Sequence, residues 1–325
     1  MSPEAIAEFK KQFPQILEDE SMAKHTNLRV GGPAKLFLTA EEPSVLLEVL
    51  ALARKTKTPW YVMGGGSNLL VSDQGYDGLM IQIAFRNVQL RQQTVTVEAG
   101  AIASVVARQT AEAGLAGLEW AVGLPGTMGG AIYGNAGCYG SEIKDNLVTV
   151  DCMRIRDGKP CVYPAADCRL GYRDSLFKHE PHLILRATFK VTPASDVEAL
   201  KKRMDEIMQM RKDKQPLEHG SAGCMFKNFV FKDESELERL KQDVKEIPAD
   251  MLARKSISAG WLIQQDGLSG EKIGDAQISE KHANFLINLG NARAQDILML
   301  MSKVKMKVRD DYNIMLEDEV QLVGF

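Results

Sequence analysis

No two cysteines in this chain are spaced CxxC, and the five present (Cys138, Cys152, Cys161, Cys168 and Cys224) are odd in number. That pattern argues against a disulfide framework or a zinc site and for reduced thiols in the cytoplasm. Histidine is equally sparse: its five copies make neither HExxH nor HxH, so no metal centre is expected. Charge of one sign is also missing. Lys+Arg 40 against Asp+Glu 43 leaves a net −3, which removes the electrostatic case for nucleic acid or a membrane surface as partner. No apolar run approaches the roughly 18 residues of a membrane span. The start, MSPEAIAEFKKQF, is an amphipathic helix pattern with acidic residues and without the apolar core of a signal peptide. A chain of 325 residues, 45% hydrophobic and 26% charged, reads as soluble and globular with two or three domains.

Glycine, by contrast, is concentrated. The stretch GLPGTMGGAIYGNAGCYGSE (123–142) holds Gly123, Gly126, Gly129, Gly130, Gly134, Gly137 and Gly140. Each glycine loses much backbone entropy on ordering, so the run reads as neither a good helix nor a strand interior. Two explanations stand: a tight crossing of loops, or a cradle whose bare N–H groups meet an anionic ligand. A second loop, Gly64-Gly65-Gly66-Ser67-Asn68, follows the short apolar run WYVM, and two such loops point to a large phosphorylated cofactor. It is followed by Leu69-Leu70-Val71 and a turn, not by a helix. That excludes a GxGxxG dinucleotide fingerprint, and the absence of GK[ST] excludes a P-loop.

Periodicity supplies the frame. Helices are expected at 43–57, 105–112, 197–210, 235–245, 259–265 and 294–308, and strands at 60–63, 69–71, 79–83, 94–98, 183–191 and 314–323. Asp157-Gly158 between 149–155 and 160–163 is a hairpin signal. A domain boundary is expected near 220–223. Strands and helices without regular alternation give an α+β class.

Three short segments carry candidate chemistry. GYRDS places Arg173 beside Tyr172, either as a surface ion pair or as an anion contact. SAGCMFKN puts Cys224 just after a glycine, either as a small buried thiol or as a reacting one. LEDEV sets Glu317 and Glu319 two apart, on one strand face with Asp318 opposite, which suits a solvated edge equally well.

Read together, NLRVGGPA (27–34), GGGSNLLV (64–71), GLPGTMGGAIYGNAGCYGSEI (123–143), GYRDSLFK (171–178), SAGCMFKN (221–228), GDAQISEKHANFLIN (274–288) and LEDEV (316–320) resemble the UDP-N-acetylenolpyruvoylglucosamine reductases. The motifs are long, in the family's order, and span about 25 to 325; the spacing resembles the shorter branch without a Tyr-bearing lid insertion. The resemblance implies a vanillyl-alcohol-oxidase-like (PCMH-like) two-part FAD-binding region plus a smaller α+β substrate domain. The division would be 1–80, 81–213 joined by the C-terminal strand 309–325, and 214–308. It further implies FAD and NADPH as cofactors and a UDP-sugar as the small-molecule partner. Arg173 would stabilise an enolate, Glu319 polarise the enolpyruvyl group, and Cys224 protonate its C2. Gly64, Gly65, Gly66, Ser67, Asn68, Pro125, Gly126, Thr127, Gly130, Asn135, Gly137 and Arg211 would hold FAD. Tyr172, Lys214, Lys227 and Asn228 would meet the substrate. An oxidase of the same cofactor fold accounts for both glycine loops but leaves SAGC and LEDEV without use. A binding protein that has lost its chemistry has no need of Arg173, Cys224 and Glu319 together. Two positions depart from the family pattern: Phe229 and Asp318, where proline is usual.

Overall fold

A computed structural model of the chain describes residues 1–244 and 246–325; Lys245, the last residue of the helix expected at 235–245, lies outside them. The chain divides into two compact units, each with its own core.

The first unit comprises Met1–Glu20, Ala34–Gly66 and Tyr76–Asp213. It opens on the helix Pro3–Gln12, started by the Ser2 hydroxyl on the Ala5 N–H and by proline in the first turn. Phe9 on that helix is fully buried. A four-stranded sheet runs in the order Leu17–Ser21, Pro33–Ala40, Tyr76–Ile83, Trp60–Met63, its last two pairings parallel. Helix Pro43–Lys55 is the crossover between parallel strands and buries Leu46, Val49, Leu50 and Ala53. A second, antiparallel sheet runs Pro160–Pro164, Leu147–Arg154, His182–Lys190, Thr94–Glu98, Val88–Leu90. One continuous core from Phe9 to Ile207 joins the two sheets. Helix Val197–Lys214 closes the unit in sequence, running four residues beyond the expected end at 210.

The second unit is assembled from Ser21–Pro33, Ser67–Gly75 and Lys214–Phe325. An antiparallel sheet orders Gly220–Cys224, Phe285–Asn288, Ala276–Ile278 and Lys272–Ile273. Residues 220–223, expected as a boundary, are therefore strand, and the division falls at 213/214. Helix Ala294–Tyr312 buries Ile297, Leu300, Met301, Val304 and Val308 over this core. Its start is capped by Asp73, whose carboxylate accepts from the Ala294 and Gln295 amides at 2.8 and 3.0 Å. Leu28, Val30 and Leu70 lie in the same core.

The expected strand at 314–323 is confined to Gln321–Val323, which pairs in parallel with Leu69–Val71 inside the second unit rather than joining the first. The apolar alternation ahead of it (Ile314, Leu316, Val320) is a buried loop crossing that core. Among the described residues no helix is long and apolar enough to cross a membrane.

Candidate active site

In the first unit the two glycine loops meet each other. A Cβ on Gly64 would stand 2.3 Å from Thr127 Oγ1, and one on Gly65 would stand 3.0 Å from Gly126 Cα. Loop crossing thus explains part of the glycine content. Gly66 (φ 64°) and Gly126 (φ 90°) also occupy the left-handed region, and Pro125 holds Leu124 extended ahead of the turn. The cradle explanation survives beside it. Among the described residues, the N–H groups of Gly64, Gly65, Gly66, Gly126 and Thr127 donate to no protein acceptor. A row of bare amides on two touching loops fits a pyrophosphate, so the residues present suit the dinucleotide that the resemblance implies.

The rest of the run behaves otherwise. Residues Met128–Tyr133 form a short helix, contrary to expectation, with Thr127 as its cap and Gly129 packed so closely on Ala99 that a Cβ would stand 2.9 Å from the Ala99 methyl. The amides of Met128, Gly129 and Gly130 already donate to Ala101, Ala99 and Thr127, so this helix start offers no further donors there. A Cβ at Gly130 would meet only Thr127 Oγ1, at an ordinary contact distance of 3.7 Å.

Arg173 sits at the tip of a two-residue hairpin closed by mutual Gly171–Asp174 backbone bonds of 3.0 and 3.2 Å. Its own φ is 54°, a conformation uncommon for a non-glycine residue and frequent at functional sites. Its guanidinium donates to the Gly137 carbonyl at 3.2 Å and lies over the Tyr172 ring, and Lys178 Nζ donates to its carbonyl at 2.7 Å. Asn135 braces the turn from beneath. It is fully buried, its Nδ2 donates to Glu142 at 2.6 Å and to the Gly171 carbonyl at 2.8 Å, and its Oδ1 accepts from Lys144. Asn135 and Gly137 therefore brace the turn that carries Arg173. A Cβ at Gly137 would meet Glu142 at 2.5 Å, which accounts for that glycine. Arg211, 8% exposed, lies against Gly123. Burial raises the Cys138 thiol above its ordinary range, while Arg211 and then Arg173 pull it down, so two guanidinium groups converge on this side of the unit.

The second unit holds the remaining candidates. Cys224 ends the strand Gly220–Cys224, opposite Phe285, after an irregularity in register at 222–223, where Gly223 takes φ 79°. The next residue, Met225, accepts the Glu319 N–H at 2.8 Å, Phe226 bridges Asp318, and the Lys227 N–H donates to the Glu317 carbonyl. The thiol and the carboxylate are thus fixed about one short antiparallel contact. Asn68 donates from Nδ2 to the Glu319 carbonyl at 2.9 Å. Asp318 is turned away and paired with Lys305 at 2.7 Å, which neutralises the extra acid beside Glu319. Glu317 pairs with Lys227 at 2.9 Å. Asn228 Oδ1 caps the helix Ala259–Gln265 through the Ala259 amide, Phe229 pairs with Ile257, and Lys214 is exposed.

One residue of this constellation went unnoticed in the sequence. Asn284 is 2% exposed; its Oδ1 accepts the Phe226 N–H at 3.0 Å and its Nδ2 donates to the Phe226 carbonyl at 2.8 Å, a two-point clamp on the segment that carries Cys224, Lys227 and Asn228. Its own N–H donates to His282 Nδ1 at 3.3 Å, and burial lowers the His282 pKa, which keeps that nitrogen an acceptor. The available signal was an amide set directly between Ala283 and the apolar run Phe285-Leu286-Ile287, a polar group that must be satisfied when buried.

A model of an FAD binding domain matches residues 34–162, and a model of the UDP-N-acetylenolpyruvoylglucosamine reductase C-terminal domain matches residues 215–323. The UDP-N-acetylenolpyruvoylglucosamine reductase of Caldicellulosiruptor bescii is 37% identical over 313 residues, covering 95% of this chain and 91% of its own length. That of Agathobacter rectalis is 35% identical over 340 residues, covering 100% and 99%. The crystal structure of the corresponding reductase from Thermus caldophilus superposes with a TM-score of 0.73 at 33% identity, over 95% of this chain and 98% of that one.

Proposed function

This chain belongs to the UDP-N-acetylenolpyruvoylglucosamine reductase family of FAD-dependent oxidoreductases, and on that premise we propose that it uses NADPH to reduce UDP-N-acetylglucosamine enolpyruvate to UDP-N-acetylmuramate. FAD, when bound, would supply the two-electron redox chemistry that links NADPH to C3 of the enolpyruvyl ether. The amides of Gly64, Gly65, Gly66, Gly126 and Thr127 would hold its pyrophosphate, with Gly130 next to them and Arg211 on this unit's cationic side.

Hydride arrival at C3 places negative charge on C2 and its carboxylate. Arg173, held rigid by Gly137 and the Gly171–Asp174 turn, receives that charge, because a guanidinium matches a carboxylate bidentately without reorganising. Glu319 polarises the enolpyruvyl group, and Cys224 gives C2 its proton. Tyr172, Lys214, Lys227 and Asn228 bind the UDP-sugar. The observation that carries this reading is the tie between Cys224 and Glu319: residues far apart in sequence are fixed on either side of Met225 by backbone pairing.

The test is spectroscopic. Purified protein should be yellow, bleach with NADPH under anaerobic conditions, and recover colour on addition of the enolpyruvyl substrate. Arg173→Ala and Glu319→Gln should bleach normally and recover slowly. A folded chain that takes up no FAD, or whose colour returns only with oxygen, refutes the reading.

A further inference from the structure

Away from the candidate site, two cysteines that the reaction does not use face each other across a strand pair. Cys152 on Leu147–Arg154 is directly opposite Cys161 on Pro160–Pro164, with Sγ–Sγ 2.9 Å. The Arg154 N–H bonds the Lys159 carbonyl, and the two N–H-less residues, Pro160 and Pro164, fall at alternate pairings. Counting by twos makes Cys152–Cys161 a hydrogen-bonded pair, which spaces Cα atoms by about 5.5 Å. A disulfide spans Cα separations of roughly 4.4–6.8 Å, and the two sulfurs already stand within 2.9 Å of each other. Pro160–Pro164 is the edge strand of its sheet, and Cys161 on it is half-buried, whereas Cys152 is 1% exposed. The third thiol nearby, Cys168, is fully buried and directed at the Pro164 carbonyl at 3.4 Å.

We propose that Cys152 and Cys161 form a reversible dithiol site, oxidised by a peroxide to a cross-strand disulfide. Cys161, the sulfur with access from the edge, attacks a peroxide oxygen; the O–O bond breaks, leaving Cys161 sulfenic acid and one water. Cys152 then attacks that sulfur, the S–O bond breaks, and a second water leaves with the Cys152 proton. One peroxide is reduced by two electrons and two thiols are oxidised by two. Burial holds the Cys152 thiol well above its ordinary pKa and so keeps it protonated, which leaves Cys161 as the sulfur that meets peroxide first. A dithiol reductant reverses the step by two exchanges. Because the pair lies side by side, oxidation stops at the disulfide in preference to the irreversible sulfinic stage.

The proposal is independent of the enzymatic reading and is tested on the holoenzyme with one equivalent of hydrogen peroxide. The protein should lose two of its five titratable thiols and recover both with dithiothreitol. Trypsin cuts after Lys144, Arg154, Arg156 and Arg169 but not between Lys159 and Pro160, so a non-reducing digest should contain peptide 145–154 joined to peptide 157–169, lighter by two hydrogens, with fragmentation placing the link at Cys161 and not at Cys168 of the same peptide. Oxidation should also raise the unfolding midpoint, since the cross-link restricts the unfolded chain. Cys161→Ser, on the edge strand, should give neither the linked peptides nor the midpoint rise. Retention of all five thiols, a link involving Cys168, or an equal midpoint shift in Cys161→Ser overturns the proposal.

Discussion

Asn284→Asp isolates one hydrogen bond in an otherwise unchanged constellation. The carboxylate can still accept the Phe226 N–H, but where Asn284 donates to the Phe226 carbonyl it now faces that oxygen with negative charge. Phe226 is 1% exposed, so no solvent replaces the lost donor. An unsatisfied buried group costs about 1–3 kcal/mol. At about 1.36 kcal/mol per tenfold, loosening the 224–228 segment by that amount slows substrate-dependent flavin reoxidation about 5- to 150-fold. NADPH bleaching should not change, because that step uses neither Cys224 nor Glu319. The substitution also carries its own rescue. Burial raises the new carboxyl's pKa, and the protonated acid donates as the amide did. The sign follows: a carboxyl raised in the folded state costs nothing below its unfolded pKa of about 3.9, and the cost grows as pH rises to the folded value. The reoxidation defect should therefore shrink as pH falls. It is to be read as a ratio to the unsubstituted enzyme, because His282 beside it also titrates, and its lowered pKa makes protonation below the ordinary histidine range weaken both proteins alike. Stopped-flow traces showing a pH-independent ratio, or equal losses in bleaching and reoxidation, would refute the positioning role and reduce Asn284 to packing.

Two further outcomes follow from the same geometry. Gly64→Ala drives a methyl toward Thr127 Oγ1 at 2.3 Å, and overpacking of about 1–3 kcal/mol should weaken FAD retention roughly 5- to 150-fold while the second unit's unfolding is unaffected; full flavin occupancy contradicts the crossing. Cys224→Ala should slow reoxidation by about 10²–10⁴-fold with normal bleaching, and Cys224→Ser should retain much of the activity with its alkaline limb moved up, since a free thiol ionises near pH ~8.5 and a hydroxyl does not. Wild-type turnover in Cys224→Ala assigns the proton to another source.

Local pattern sufficed where one physical cause acts alone. Thr94–Glu98 and Ala259–Gln265 have the limits expected of them, because β-branched alternation marks the strand and a Ser258 cap starts the helix. It failed where distant packing decides. Gly129 and Gly130 disfavour a helix, yet Met128–Tyr133 is one, since the contact of Gly129 with Ala99 requires a residue without a side chain. The buried alternation of Ile314, Leu316 and Val320 looks like a strand but is loop, for the core beneath supplies the burial without a partner strand. Arg173, Cys224 and Glu319 were visible as motifs. Their braces were not: Asn135 acts on a carbonyl 36 residues away, Asn284 on a segment 58 away, and Asn68 on one 251 away.

That last span bears on how the chain is made. The second unit takes its helix cap from Asp73 and pairs its terminal strand with Leu69–Val71, so a ribosome releases these pieces long before their partners exist. The segments 21–33 and 67–75 can meet early, since the Gly32 N–H donates to the Ser72 carbonyl, but Leu69–Val71 lacks its partner strand until Gln321–Val323 has left the exit tunnel. The second unit is therefore completed late, with the apolar strand Leu69–Val71 lacking its neighbour until then. Expression of 214–325 alone should give an unstable product, and supplying 21–75 as a separate peptide should rescue it.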